Sequence, residues 1–170
     1  IVLIGAGYWG EKILDKLIQL NQKVILIDKD LKKYIKFKNK YKTKKIIYLK
    51  SLKDLDNFNY ENVIIASPAQ YHFSHINYFV SLNKNIFVEK PICLNINELN
   101  KITKFLKNYS KTFMIGHIMF FHNSYKKILK LNSQKYFGKI LYLYSTRLSF
   151  GKLRKYENIL SSFAPPDISM

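Results

Sequence analysis

Ile1-Val2-Leu3-Ile4-Gly5-Ala6-Gly7-Tyr8-Trp9-Gly10 is the stretch on which the reading of the whole chain turns. Four apolar residues run without a break into three glycines spaced G-x-G-x-x-G, and a helical pattern starts at once behind them. A buried strand that turns tightly into a helix presents the unpaired N–H groups of the helix N-terminus to an anion, and a phosphate suits that place. Gly5 then serves the tight turn, Gly7 the close approach of the backbone to a pyrophosphate, and Gly10 the packing of helix on strand. Glycine-rich turns are common, and an ordinary strand–turn–helix shows them without any ligand. Here a second apolar run, Val24-Ile25-Leu26-Ile27, ends in Asp28. That sets a carboxylate about 20 residues after the glycines, where it can accept from the ribose hydroxyls of an adenosine. The two signals together predict a dinucleotide.

Working outward, Ile13, Leu14, Leu17 and Ile18 give one apolar face to a helix over 8–20. A basic helix or loop follows Asp28, then the short run Ile46-Ile47-Tyr48-Leu49. Val63-Ile64-Ile65-Ala66 is continuously apolar, as strands covered on both faces are, and Pro68 stops it. A helical pattern over 72–82 carries Ile76, Phe79 and Val80. The run Ile86-Phe87-Val88 leads into Glu89-Lys90-Pro91. Asn95 is placed to cap a helix bearing Ile96, Leu99, Ile102, Phe105 and Leu106, and residues 112–115 form the next strand, closed by Gly116-His117. Strands alternating with helices predict an α/β fold, a doubly wound parallel sheet. Beyond Gly116 the texture changes. Residues 120–131 can form one helix, Gly138 makes a turn, and Leu141 to Ser149 alternates as an antiparallel strand of a different sheet would. The expected division is 1–118 for the dinucleotide-binding domain and 119–170 for the truncated start of an α+β domain with an open sheet. Ile1 already stands in a core strand, and 167–170 read as the start of a helix, so the expectation is part of a longer chain.

The 170 residues carry 48% apolar residues, at a mean hydropathy of −0.15, which allows a sizeable core and argues against wholesale disorder. Cys93 is the single cysteine, so no intrachain disulfide forms, as fits a reducing, cytoplasmic compartment. No apolar run reaches the length of a transmembrane helix, and no membrane role is expected. A net charge of +18 raises the question of nucleic acid. Yet among 29 basic residues only Arg147 and Arg154 are arginine, whereas phosphate recognition favours the guanidinium fork. The dense run from Lys32 to Lys45 reads as a solvated helix and loop, and no nucleic-acid partner is expected.

Ligands of doubly wound sheets sit beyond the carboxyl ends of the strands. The residues at those ends are Gly5 to Gly10, Asp28, Ser67-Pro68, Glu89-Lys90-Pro91 and Gly116-His117. Lys90, between a carboxylate and a proline at a strand end, is open to three readings. Partial desolvation can lower its pKa toward the range useful for proton transfer, or it orients a substrate hydroxyl as a plain cation, or it is a surface lysine in a turn. The four histidines, His72, His75, His117 and His122, lack the spacings of a zinc site, so no metal is expected; His72 and His75 read as capping or cleft-lining residues.

With these residues in view, the sequence resembles the Gfo/Idh/MocA oxidoreductases, the relatives of glucose-fructose oxidoreductase and inositol dehydrogenase. The resemblance runs through the glycine fingerprint, Ser67-Pro68 with His72, and above all Glu89-Lys90-Pro91. Gly7-Tyr8-Trp9-Gly10, Gly116-His117 with His122, and Glu157-Asn158 leading to Ser162-Phe163-Ala164-Pro165 and Asp167-Ile168-Ser169 resemble a sugar-nucleotide branch of dehydrogenases of UDP-N-acetylglucosaminuronate type. That resemblance implies a Rossmann domain holding NAD rather than NADP, since Asp28 repels a 2′-phosphate, although Lys29 beside it weakens the preference. It implies cofactor contacts from Gly5, Gly7, Tyr8, Trp9, Gly10, Asp28, Ser67, Pro68, His72, Glu89 and Lys90, and catalytic roles for Lys90 and His117. It further implies a sugar or sugar-nucleotide substrate held by Lys90, His117, Lys152 and Arg154, hydride transfer from a sugar hydroxyl carbon in surface-polysaccharide synthesis, and a homo-oligomer for the full-length protein. For Lys152 and Arg154 a solvated loop is the competing reading. Three positions depart from the branch pattern. Pro166 stands where the branch has a histidine held to act in proton transfer, Ser161 replaces a tryptophan and Asn123 a proline. Loss of one general base costs ~10²–10⁴ in rate. Either Lys90 carries the proton alone, or His117 substitutes, or the chain binds the dinucleotide without turning over.

Overall fold

Short apolar runs set between amphipathic stretches fold into parallel strands joined by helices. A computed structural model of the protein describes residues 1–42, 45–142, 144–146 and 168. The chain divides into two compact units, 1–115 and 116–170.

In the first unit, strand β1 (Val2–Ile4) leads through the glycine turn into helix α1 (Tyr8–Gln19). Strand β2 (Val24–Ile27), helix α2 (Leu31–Tyr41) and strand β3 (Ile46–Leu49) follow. After a 3₁₀ turn at Leu52–Asn57 come β4 (Asn62–Ile65), α3 (His72–Ser81), β5 (Asn85–Val88), α4 (Ile96–Leu106) and β6 (Phe113–Ile115). The six strands are all parallel, in the order β3-β2-β1-β4-β5-β6. The chain moves outward from β1 to β2 and β3, then returns to the other side of β1 for β4. The connections that leave β1 and β4 therefore part to opposite sides, and a crevice opens at their carboxyl ends. This is the doubly wound fold expected from the strand–helix alternation.

Side-chain alternation along the strands separates two cores. Val2 and Ile4 point to one face of the sheet with Ile25, Ile27, Val63 and Ile65, under Ile76 and Phe79 of α3 and Ile102 of α4. Leu3, Val24 and Leu26 point to the other, under Leu14 and Leu17 of α1 and Phe37 of α2. Full burial of each such side chain contributes about 1.5–3 kcal/mol. β1 is buried on both faces, which is why it reads as an unbroken apolar run.

Local signals end the helices where the side chains dictate. Asp30 accepts the Lys32 N–H at 2.9 Å and opens α2. Asn95 accepts the Glu98 N–H at 2.9 Å and opens α4, as expected. The lysine run proves to be more than a solvated surface. Lys36 reaches Glu11 at 2.8 Å, and Lys40 reaches Asp15 at 2.8 Å and Glu11 at 3.4 Å, so α2 is laced to α1. Exposed to solvent, these pairs are screened and each contributes little to stability.

The second unit differs from expectation at its start. Ile118–Phe121 closes into a 3₁₀ turn, and helix α5 spans Asn123–Ser133 instead of beginning at residue 120. The cause is His122, whose Nδ1 accepts the Ser124 N–H at 3.3 Å and caps the helix there. Gly138 turns the chain at φ +64°. Of the strand expected over 141–149, residues 141, 142 and 144–146 fall in neither helix nor strand, and the others lie outside the described residues. No helix among the described residues is long and apolar enough to cross a membrane.

Candidate functional site

The three glycines do three different things. Gly5 has φ +91°, and a Cβ there would come within 2.7 Å of Ala66 O and Ser67 N, so both conformation and space exclude a side chain. A Cβ on Gly10 would stand 1.9 Å from Gly5 O, so α1 crosses the turn at a distance only glycine permits. A Cβ on Gly7 would meet nothing within 4 Å. No protein atom requires a glycine at position 7, and the open space in front of it is room that a Cβ would partly fill. As N-cap of α1, Gly7 offers no side-chain acceptor, so the first N–H groups of the helix face outward uncapped. The residues present thus fit the pyrophosphate of a dinucleotide.

Asp28 lies one residue past β2. Its Oδ2 accepts the Ala6 N–H at 2.7 Å and the Lys33 ammonium at 3.0 Å, and its Oδ1 accepts the Asp30 N–H at 2.9 Å. Burial pushes its carboxyl up, but the N–H groups of Asp30 and Ala6 and the Lys33 ammonium outweigh that and hold it below the usual carboxylate range. The Tyr48 hydroxyl donates to the Asp28 carbonyl and fixes the same residue from β3. Asp28 thereby ties the end of β2 to the glycine turn that follows β1.

A cleft of about 660 Å³ opens beside this pair. Gly5, Asp28, Ser67 and Pro68 line it, as the strand ends require. So do Tyr71, His75, Lys29, Lys33, Lys50 and Lys53; His75 thus lines the cleft as one of its two expected roles, whereas Tyr71, Lys50 and Lys53 had no signal in the sequence. His75 joins through Ser67: its Nδ1 lies 3.0 Å from Ser67 Oγ. Burial, then the neighbouring His72 and Lys29, push the His75 imidazole down to about 4. Lys33 stands five residues beyond Asp28, in the first turn of the following helix. That spacing was its available signal, hidden inside the lysine run.

His72 neither caps a helix by its side chain nor lines the cleft. It is 1% exposed, with Nδ1 2.8 Å from Pro91 O and Nε2 2.8 Å from Ser67 O. The ring links the backbone past β4 to the backbone past β5, so Ser67-Pro68 and Glu89-Lys90-Pro91 are held as one piece. The Lys90–Pro91 peptide bond is cis. Lys90 is half-buried. Glu89 is buried; burial pushes its carboxyl up, and the Lys90 N–H and ammonium act against that shift.

Tyr8 and Trp9 sit at the first turn of α1 with their rings edge to face at 5.6 Å, Tyr8 exposed and Lys12 over both rings. His117 belongs to the second unit, packs on Phe120, and has a buried Nδ1 with no hydrogen-bond partner among the described residues. Lys152, Arg154 and Pro166 lie outside the described residues. Among those described, no group of three or more His, Cys, Asp or Glu side chains is placed to hold a metal ion.

Known proteins bear on this geometry. Residues 1–117 match a family model described as the oxidoreductase family GFO_IDH_MocA, NAD-binding Rossmann fold. The 2,7-anhydro-N-acetylneuraminate hydratase of Mediterraneibacter gnavus is 31% identical over 87 residues, which are 51% of this chain and 23% of that protein. The crystal structure of myo-inositol 2-dehydrogenase from Lactobacillus plantarum superposes with a TM-score of 0.73 at 26% identity, over 82% of this chain and 42% of that one. The WlbA dehydrogenase of Bordetella pertussis, solved with NADH and UDP-GlcNAcA, superposes with a TM-score of 0.71 at 15% identity, over 81% of this chain and 40% of that one; that likeness is one of fold. The matches thus span less than half the length of each of these relatives. By its glycine turn, its parallel sheet and the family match over 1–117, the chain belongs to the Gfo/Idh/MocA oxidoreductase family, with that family's NAD-binding Rossmann fold.

Proposed function

We propose that this chain supplies the cofactor-binding part of a dehydrogenase that moves hydride from a sugar hydroxyl carbon to NAD, with a UDP-linked sugar uronate as substrate in surface-polysaccharide synthesis. The observation that carries the reading is the cleft joining Asp28 to Ser67 and Pro68 beside an uncapped helix N-terminus. Tyr8-Trp9 and Glu89-Lys90-Pro91 support the sugar-nucleotide branch by resemblance.

A bound nicotinamide supplies the carbon that accepts hydride. The chain's own residues bind and orient. Gly7 admits the pyrophosphate to the N-terminus of α1, and Asp28 accepts from the adenosine ribose. Lys90, anchored through Pro91 and His72, takes up or steers the hydroxyl proton. His117 is the second candidate for that proton, and Lys152 and Arg154 for the substrate's phosphate or carboxylate. A homo-oligomer in the cytoplasm is the proposed setting.

Pro166 favours a second reading, a chain that binds the dinucleotide without turnover. The test follows NADH formation from NAD and UDP-N-acetylglucosaminuronate. Turnover that falls ~10²–10⁴-fold in Lys90→Met, with NADH affinity retained, supports the dehydrogenase. Tight NADH binding with no turnover on any UDP-sugar uronate supports the second reading. Absence of NADH binding by well-folded protein sinks both.

A further inference from the structure

The adenosine end of the cleft is crowded with positive charge. A lone carboxylate past the second strand bonds the ribose 2′-hydroxyl and turns away a 2′-phosphate by like-charge repulsion. Asp28 is not alone. Both of its oxygens already receive donors, and one of the three is the Lys33 ammonium at 3.0 Å. Its side chain is only 11% exposed, so most of its surface is turned away from the solvent in which a ligand arrives. Lys33, by contrast, is 36% exposed and lines the cleft.

Three more lysines line the same cleft, namely Lys29, Lys50 and Lys53. Lys29 holds its ammonium 5.5 Å from the centre of the Tyr71 ring, on the cleft wall. Among the described residues none of these three makes an ion pair. Four ammonium groups against one carboxylate leave the lining of the cleft at +3. A lysine is a point charge on a flexible stem, able to swing from one anion to another. The arrangement therefore lacks the negative field that would reject a phosphate, and it holds several mobile cations that would meet one.

We propose that the adenosine end of the cleft accepts a 2′-phosphate, so that the chain binds NADPH as well as NADH, with Lys33 and Lys29 as the groups that meet the phosphate. The inference rests on the dinucleotide reading of the cleft and sets its specificity. Lys33 has two roles in it. It neutralises Asp28 when the 2′-hydroxyl is free, and turns to the phosphate when one is present.

Titration of the chain with NADH and with NADPH, followed by nucleotide fluorescence, tests it. A parallel titration with AMP and 2′,5′-ADP isolates the adenosine end from the nicotinamide. The expected NADPH dissociation constant lies within ~10-fold of that for NADH, and added salt weakens NADPH the more. The double variant Lys29→Gln, Lys33→Gln, with its fold checked by circular dichroism, should shift the preference toward NADH by ~10-fold or more. NADH binding with NADPH more than ~100-fold weaker overturns the inference alone. A preference unmoved in the double variant also overturns it. Failure of a folded chain to bind either dinucleotide overturns the reading of the cleft and the inference with it.

Discussion

The His72 Nδ1 stands 2.8 Å from the Pro91 carbonyl oxygen, nineteen residues away in sequence. The other face of the same buried ring meets the Ser67 carbonyl. This one side chain sets the separation of the two strand-end loops between which the candidate chemistry lies. His72→Leu keeps an apolar body but removes the ring N–H, so the carbonyl that accepts it, Pro91 O or Ser67 O according to the tautomer, is left without that donor. Such a loss costs about 1–3 kcal/mol. The variant should therefore lose about 2 kcal/mol in urea denaturation and bind NADH more weakly. A loss below about 0.5 kcal/mol, as for an ordinary surface change, would dismiss the bridge.

The glycines separate stability from binding. Gly10→Ala drives a methyl group to 1.9 Å from the Gly5 carbonyl, a backbone atom with no freedom to yield. An overpacking cost of about 1–3 kcal/mol follows, visible as a lower Tm. Gly7→Ala adds its methyl to open space. Its stability should stay within about 0.5 kcal/mol of the parent, while NADH affinity falls because the methyl occupies the approach of the pyrophosphate. Equal stabilities for the two variants would contradict these assignments.

Asp28 joins the glycine turn to the ribose end, so its removal should act on both. Asp28→Ala deprives Ala6, Asp30 and Lys33 of their acceptor at once. Hydrogen bonds to a charged group contribute about 1.5–3 kcal/mol, so NADH affinity should drop ~10- to 100-fold, measured by fluorescence titration. The same variant should lose less affinity for NADPH than for NADH, since no carboxylate then opposes the phosphate.

His75 makes stability depend on pH. Its imidazole is held down to about 4 in the folded chain, from an ordinary 6.5 when unfolded. Between those values the unfolded chain binds the proton and the folded chain does not. Stability contributed by His75 is therefore complete above about 6.5 and is lost as pH falls toward about 4. Chemical denaturation across that window should show a falling free energy, and His75→Gln should flatten the slope. An unchanged slope would place the titration elsewhere.

The sequence alone was enough for the order of the strands and helices, for the parallel sheet, and for the tight turn at Gly5 and the close packing at Gly10. These depend on local patterns. An unbroken apolar run marks a strand covered on both faces, and G-x-G-x-x-G marks a turn that only glycine can make. Asn95 was legible as a cap because capping is decided within three residues. The start of α5 was misjudged because His122, not an apolar period, sets it.

The tertiary structure decided what depends on approach between distant segments. His72 was visible as a residue near Ser67-Pro68, yet its bridge to Pro91 exists only because β4 and β5 lie side by side. Lys33 looked like one lysine among many until the fold set it against Asp28. Gly10 was assigned to packing in general, and the crossing of α1 over the turn named its partner as the Gly5 carbonyl. Sequence determines which residues can turn, cap or bury themselves, since those energies are local or periodic. Which charge neutralises which, and which ring ties two loops together, is settled by the sheet that brings them within hydrogen-bond distance.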